Sequence, residues 1–373
     1  MLIYVNYYYR NYILLPYHPY PEAVAQSLRK AVYYTNVEPN PKSALKYYKQ
    51  ALERAVTCGM DPFGDAVVGI RIQVASMLEQ AGKRESAARV LEMVRNECLM
   101  AAEEAERGEG LGEGIVLKDT LKAAGASEEA VAGRKGDDGE EQETPAGRRR
   151  RLLQCAVKAG VKLGDLYSHE DIHDPAMAEE RLVWAVTTLL KERQRRETEG
   201  VKEGEGEWFA SGEEIGGALE SLATHYFHNN LSYLAVPLYL QALTFLPQKS
   251  CHAVSLMNNL AVSLSLQNPP SNPGSPPASP TTYLADAQTW AHKALALANT
   301  IEPPERNEEC DSGCCAAMIS LGDFYQMAGN KEEAKRWWRE GIPVCKAVGG
   351  ETGDEGAKNG KRGLAQLEKG AVR

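Results

Sequence analysis

An all-α solenoid of about six helical hairpins is the fold class this 373-residue sequence predicts, and three observations predict it. Small and large apolar residues recur at fixed offsets within segments of helical period. The segments repeat, each long enough for one helical hairpin, as expected of stacked units that bury a core only against their neighbours. The chain also exceeds the length at which one hydrophobic core usually suffices.

The clearest unit is 315–348, CAAMISLGDFYQMAGNKEEAKRWWREGIPVCKAV. Leu321, Gly322 and Tyr325 are followed by Ala334, Trp338 and Gly341, the L-G-x-x-Y and A-x-x-x-F-x-x-A positions of a tetratricopeptide repeat (TPR). Small residues suit the close crossing of helix A with helix B, large ones fill the space between, and Gly329-Asn330 supplies the turn. Residues 216–249 repeat the set with Leu219, Leu222, Ala223, Tyr226, Ala235, Tyr239 and Ala242, and Pro247 marks the end. Weaker copies lie at 25–58, 68–101, 157–192 and 254–299, carried by Ala44, Tyr48 and Ala51, by Ala87 and Leu91, by Leu163, Gly164 and Tyr167, and by Leu260, Ala261 and Ala287. The chain thus reads as a TPR α-solenoid.

The interruptions divide it. A Tyr-rich segment, 1–20, precedes repeats 1–2 at 21–101. An acidic, Gly-rich insertion at 102–149 is expected to be disordered. Its end and the start of repeat 3 (150–193) carry Arg148, Arg149, Arg150 and Arg151, read as a solvated loop edge. A charged linker, 194–213, leads to repeats 4–6 at 214–349, whose Pro/Ser stretch 268–281 is expected to loop out. Residues 350–373 read as a polar tail with a short capping helix around Leu364-Ala365-Gln366-Leu367.

Composition excludes several functions. A formal net charge of −9 argues against a nucleic-acid binder. No phosphate-binding glycine loop and no nucleophile elbow occurs, so no enzyme activity, cofactor or small-molecule substrate is expected. His169-x-x-x-His173 has metal-like spacing but falls in a turn, where His and Asp serve as caps, and His225-x-x-His228 ends a helix; no metal is expected. The eight cysteines are scattered, mostly at apolar helical positions, and are expected to be reduced thiols without a disulfide framework. Cys310, Cys314 and Cys315 form the densest cluster, with no second ligand pair to make a zinc site.

In this architecture the A helices line a groove. The repeat offsets nominate Glu220, Thr224 and Phe227 from repeat 4, Asn258, Asn259 and Val262 from repeat 5, and Ile319, Asp323 and Gln326 from repeat 6 as a peptide-binding surface. Amides among apolar residues suit an extended polypeptide. A carboxylate clamp for a chaperone tail fits poorly: Asn259 alone matches over repeats 4–6, and Tyr33 and Gln73 replace its asparagines over repeats 1–3 beside Arg29, Lys158 and Lys162.

Several stretches carry a narrower resemblance: YPEAVAQSLRKAVYYTN, SALKYYKQALERAVTCGMDPFGDAVVGIRIQVASMLEQAGK, KLGDLYSHEDIHDPAMAEERLVWAVTTLLKE, SCHAVSLMNNLAVSLSLQ and IEPPERNEECDSGCCAAMISLGDFYQMAGN. Together they resemble the fungal TPR adaptor subunit of the mitochondrial inner-membrane i-AAA protease, and MDPF at 60–63 extends the match into a loop. The resemblance implies an anchored protein that binds unfolded or misfolded polypeptides in the intermembrane space and passes them to the membrane AAA protease. Residues 1–20 offer no apolar run near the roughly 20 residues a spanning helix needs, and no targeting signal. The alternative is a soluble TPR scaffold or co-chaperone joining folded partners.

Overall fold

The computed structural model describes residues 20–107, 143–200, 210–267 and 280–371; the Tyr-rich start to residue 19, most of the acidic insertion and most of the Pro/Ser stretch lie outside the described residues. Among the described residues there are thirteen helices and no strand. They are α1 (Glu22–Asn36), α2 (Pro41–Thr57), α3 (Asp65–Gln80), α4 (Arg84–Arg107), α5 (Pro145–Ser168), α6 (Pro175–Glu199), α7 (Gly212–His228), α8 (Ser232–Phe245), α9 (Cys251–Ser265), α10 (Pro280–Ala298), α11 (Glu308–Met327), α12 (Lys331–Val348) and α13 (Gly350–Ala371). Taken in pairs they are six A/B hairpins followed by one further helix, the TPR α-solenoid. None of the described helices is long and apolar enough to cross a membrane.

The chain forms two compact units, residues 1–181 and 182–373, with the boundary inside α6. In the first, α1 packs on α2, α2 on α3, α3 on α4, and α4 most extensively on α5. The core is built where the period places it: Leu28, Ala31, Ala44, Tyr48, Ala51, Ala75, Ala87 and Leu91 are buried. Alanine at the crossings lets the backbones approach, and Tyr48 fills the gap beside them.

Local chemistry sets the helix ends. Asn40 caps α2 by accepting from the Ser43 N–H, and Ser211 with Glu214 forms a reciprocal capping box on α7. Leu246 leaves α8 in an extended conformation, as the residue before Pro247 must. Gly329 turns α11 into α12 at a φ of 81°, where a side chain would be strained, and Asn330 then caps α12 through the Glu333 N–H.

Four expectations need correction. The segments read as insertion and linker are helical at their edges: α4 continues to Arg107, α5 begins at Pro145, and α6 runs on to Glu199. The arginines do not edge a loop, because they form the first turns of α5. Arg151 binds Glu143 at 2.8 Å and donates to the Phe63 carbonyl at 2.5 Å, while Arg148 reaches Asp61 at 3.4 Å and Arg149 reaches Glu106 at 3.2 Å. The MDPF loop is therefore a docking point for α5, with Phe63 buried beneath it.

The polar tail is α13, a helix of 22 residues. A Cβ on Gly353, Gly356, Gly360 or Gly363 would stand within 3 Å of the Cys345 carbonyl, the Cys315 sulfur, Ile319 and Ile342, or the Trp338 ring, respectively. Glycine costs about 1 kcal/mol of helix propensity at each site. Here it permits backbone contact with α11 and α12 that no larger residue would allow.

The thiols are not all reduced. Cys251–Cys310 joins α9 to α11 and Cys315–Cys345 joins α11 to α12, with Cα separations of 4.5 and 4.9 Å inside the range a disulfide spans. Cys310 and Cys315 lie five residues apart, about 140° around the helix. One therefore faces the preceding repeat and the other its own hairpin partner. Cys314 remains a free thiol, pushed up by burial and touched by the Arg306 guanidinium at 3.9 Å.

Candidate polypeptide-binding face

In the second unit, α7 packs on α8, α8 on α9, α9 on α10 and α11, and α11 on α12. The A helices α7, α9 and α11 share polar contacts across their exposed side. His252 of α9 bridges its neighbours: Nε2 stands 2.9 Å from Glu220 Oε2 on α7, and Nδ1 stands 2.7 Å from Glu309 Oε1 on α11. Asn259, two turns along α9 from His252, donates to Glu220 Oε1 at 3.3 Å. One helix face thus carries a continuous line of carboxylate, imidazole and carboxylate spanning three repeats.

The two acceptors, Glu220 first, hold the His252 imidazolium, whose pKa rises to about 9 against the partial desolvation that opposes it. Because the folded value lies above the unfolded one, this clasp stabilises fully below about pH 6.5 and its contribution is lost as pH rises through about 9. His252→Gln should therefore lower the thermal midpoint most below pH 6.5, with the gap to the parent closing above pH 9. A gap that is constant from pH 6 to pH 10 in thermal melts would refute the clasp.

The nominated residues divide into three groups. Thr224 and Asp323 are hydrogen-bond partners inside their hairpins: the Thr224 hydroxyl meets Tyr239 at 3.0 Å, and Asp323 accepts from the Trp338 indole at 3.1 Å. The first hairpin repeats the device with Thr35 and Tyr48 at 3.4 Å. In each case a polar residue of helix A satisfies the buried aromatic residue of helix B, which keeps the large ring wedged without an orphaned donor. Ile319 is core, packed with Trp338 and Cys315. Glu220, Phe227, Asn259, Val262 and Gln326 are partly accessible, as is Thr224, and Asp323 is exposed despite its bond to Trp338.

Asn258 differs from all of these. It is 6% exposed, and its side-chain carbonyl has no hydrogen-bond partner among the described residues. It shares a helix face with Val262, one turn on. His252 and Glu309 were missed by the repeat offsets, which number positions within a repeat and say nothing of pairs between repeats. The seven-residue spacing of His252 and Asn259 on one helix face was the available signal.

His169, the first histidine of the pair with metal-like spacing, helps to close its own turn. His169 Nδ1 accepts from the Asp171 N–H at 3.2 Å, and Asp174 caps α6 through the Met177 N–H at 3.1 Å. Among the described residues no group of three or more His, Cys, Asp or Glu side chains could hold a metal ion.

Hairpins of this geometry define a TPR repeat protein, a scaffold architecture for protein–protein interaction. A tetratricopeptide-repeat family model matches residues 314–351. The chain is 25% identical over 334 residues to a TPR repeat-containing protein of Schizosaccharomyces pombe, covering 86% of this chain and 72% of the relative. Among solved structures it is similar to BtubC from P. vanneervenii, with a TM-score of 0.46 at 14% identity over 88% of this chain and 91% of that one. It is also similar to kinesin-light-chain TPR-like repeats from P. anserina, with a TM-score of 0.42 at 14% identity over 74% and 92%.

Proposed function

We propose that this protein is an adaptor whose second unit holds an extended polypeptide along α7, α9 and α11. The observation that carries the reading is the buried Asn258 carbonyl without a partner beside the partly open Val262. A buried acceptor left unmet costs about 1–3 kcal/mol, a cost that a ligand backbone N–H would remove. Phe227 and Val262 supply apolar contact next to it, and Glu220, Asn259 and Gln326 supply polar contact.

The resemblance in residues 20–348 supports a finer reading, in which the polypeptides are unfolded or misfolded and are delivered to the mitochondrial i-AAA protease. The two disulfides support it as well, since disulfides persist in oxidising compartments, of which the intermembrane space is one. Recovery of no AAA protease with the chain under mild solubilisation would sink the delivery step.

Replacement of Asn258 by leucine separates binding from architecture. A purely structural amide would be replaced with stability unchanged or improved and with no effect on a ligand. The adaptor reading expects unchanged or improved stability together with roughly tenfold weaker binding of a reduced, carboxymethylated unfolded protein. Unaltered affinity in a titration with that probe, or binding of folded partners only, would favour the scaffold alternative.

A further inference from the structure

The first unit contains a second cysteine pair that the disulfides of the second unit leave unexplained. Cys98 lies on the buried face of α4 with Val94, Ala101 and Ala102, and is itself 1% exposed. Cys155 lies on α5 next to Leu152 and Ala156 and is partly open to solvent. The two helices form the most extensive contact in that unit, and both thiols are free. They meet across the contact, the Cys98 thiol donating a hydrogen bond to the Cys155 sulfur.

We infer that Cys98 and Cys155 form a reversible dithiol–disulfide site, with Cys155 as the attacking and Cys98 as the resolving thiol, reacting with small disulfides of the glutathione class. The assignment of roles follows from access: a soluble disulfide can reach the partly open Cys155, whereas Cys98 is sealed between helices. Electrostatics agree with it. The hydrogen bond from Cys98 lowers the Cys155 thiol, and Arg151 and Lys158 lower it further, against burial and the Asp65 carboxylate, which raise it. The same hydrogen bond and burial raise Cys98.

The chemistry balances. Cys155, after losing its proton, attacks one sulfur of glutathione disulfide; an S–S bond forms to Cys155 and one glutathione thiolate leaves. Cys98 then gives up its proton to solvent and attacks Cys155 Sγ. The mixed disulfide breaks, a second glutathione leaves, and the Cys98–Cys155 bond remains. Two protein thiols are oxidised and one glutathione disulfide is reduced to two glutathiones. The product ties α4 to α5, the contact that also carries the arginine contacts at the start of α5.

The test is peptide mapping of the full chain after equilibration in glutathione buffers of rising oxidised fraction, acid quenching and alkylation. The expected result is joint loss of alkylation at Cys98 and Cys155 with appearance of their cross-linked peptide, reversed by excess glutathione. Cys98→Ser should trap glutathione on Cys155, while Cys155→Ser should leave Cys98 unmodified. Cys98→Ala serves the same purpose if the serine variant fails to fold. Both thiols remaining alkylatable at every ratio, with no linked peptide, would overturn the inference. So would equal glutathione capture at Cys98 in the Cys155→Ser chain. Neither outcome depends on what the second unit binds.

Discussion

Replacing Trp338 by alanine should cost the second unit about 3–5 kcal/mol, the usual penalty for emptying a fully buried large aromatic site. The ring is completely buried. Gly322 of α11 and Gly363 of α13 close on it, each so near that a Cβ would stand 2.3 or 2.5 Å from ring atoms. Those two walls are glycine backbone, with no side chain to relax into the void. The cost should therefore sit at the upper part of the range, since it rises with the cavity left behind. For a unit of this size the thermal midpoint should fall by roughly 10 °C, read by calorimetry. Trp338→Phe should cost much less, because it keeps most of the packing and loses chiefly the hydrogen bond to Asp323. A shift for Trp338→Ala no larger than that of the phenylalanine variant would refute the sandwich.

Removing Cys251–Cys310 by the double replacement with alanine should destabilise the same unit by about 4 kcal/mol on the chain-entropy account, because the bond closes a loop of 59 residues. Cys315–Cys345, closing 30 residues, should contribute about 0.6 kcal/mol less on the same account. The two loops do not overlap along the chain, so their effects should come close to adding. Guanidinium denaturation of the two double variants under non-oxidising and oxidising conditions measures both. Eight alkylatable thiols in the untreated, denatured parent, in place of the four left by two disulfides, or variants as stable as the parent, would rule the cross-links out as a source of stability.

Much of the architecture was legible because it is local. A helix buries residues at a period near 3.6, so Ala44, Tyr48 and Ala51, or Ala334, Trp338 and Gly341, announce their face without reference to anything distant. Turn and cap chemistry is equally local, as Gly329-Asn330 and Ser211 with Glu214 illustrate. Beyond the short capping helix expected around 364–367, the helix at 350–371 escaped for the opposite reason. Its glycines and charges read as a tail, since helix propensity counts each glycine as a loss. The compensation is contact with Cys315, Ile319 and Trp338, which propensity does not register.

The candidate face divides along the same line. Position within the repeat nominated Glu220, Phe227, Asn259, Val262 and Gln326, which remain partly accessible. It could not show that Thr224 and Asp323, which are accessible as well, also bond to partners fifteen residues away across a hairpin. Nor could it find Glu309 opposite His252, since that pair crosses from one repeat to the next.

By itself, then, the sequence determined the fold class: an all-α TPR solenoid of about six hairpins, matched by the six among the described residues, whose helices are marked by the period of their own apolar residues. Tertiary structure decided which cysteines bond, why the last helix is rich in glycine, and how His252 ties three repeats together. Those features depend on distances between residues far apart in the chain. Composition and spacing constrain such distances only after the helices have packed.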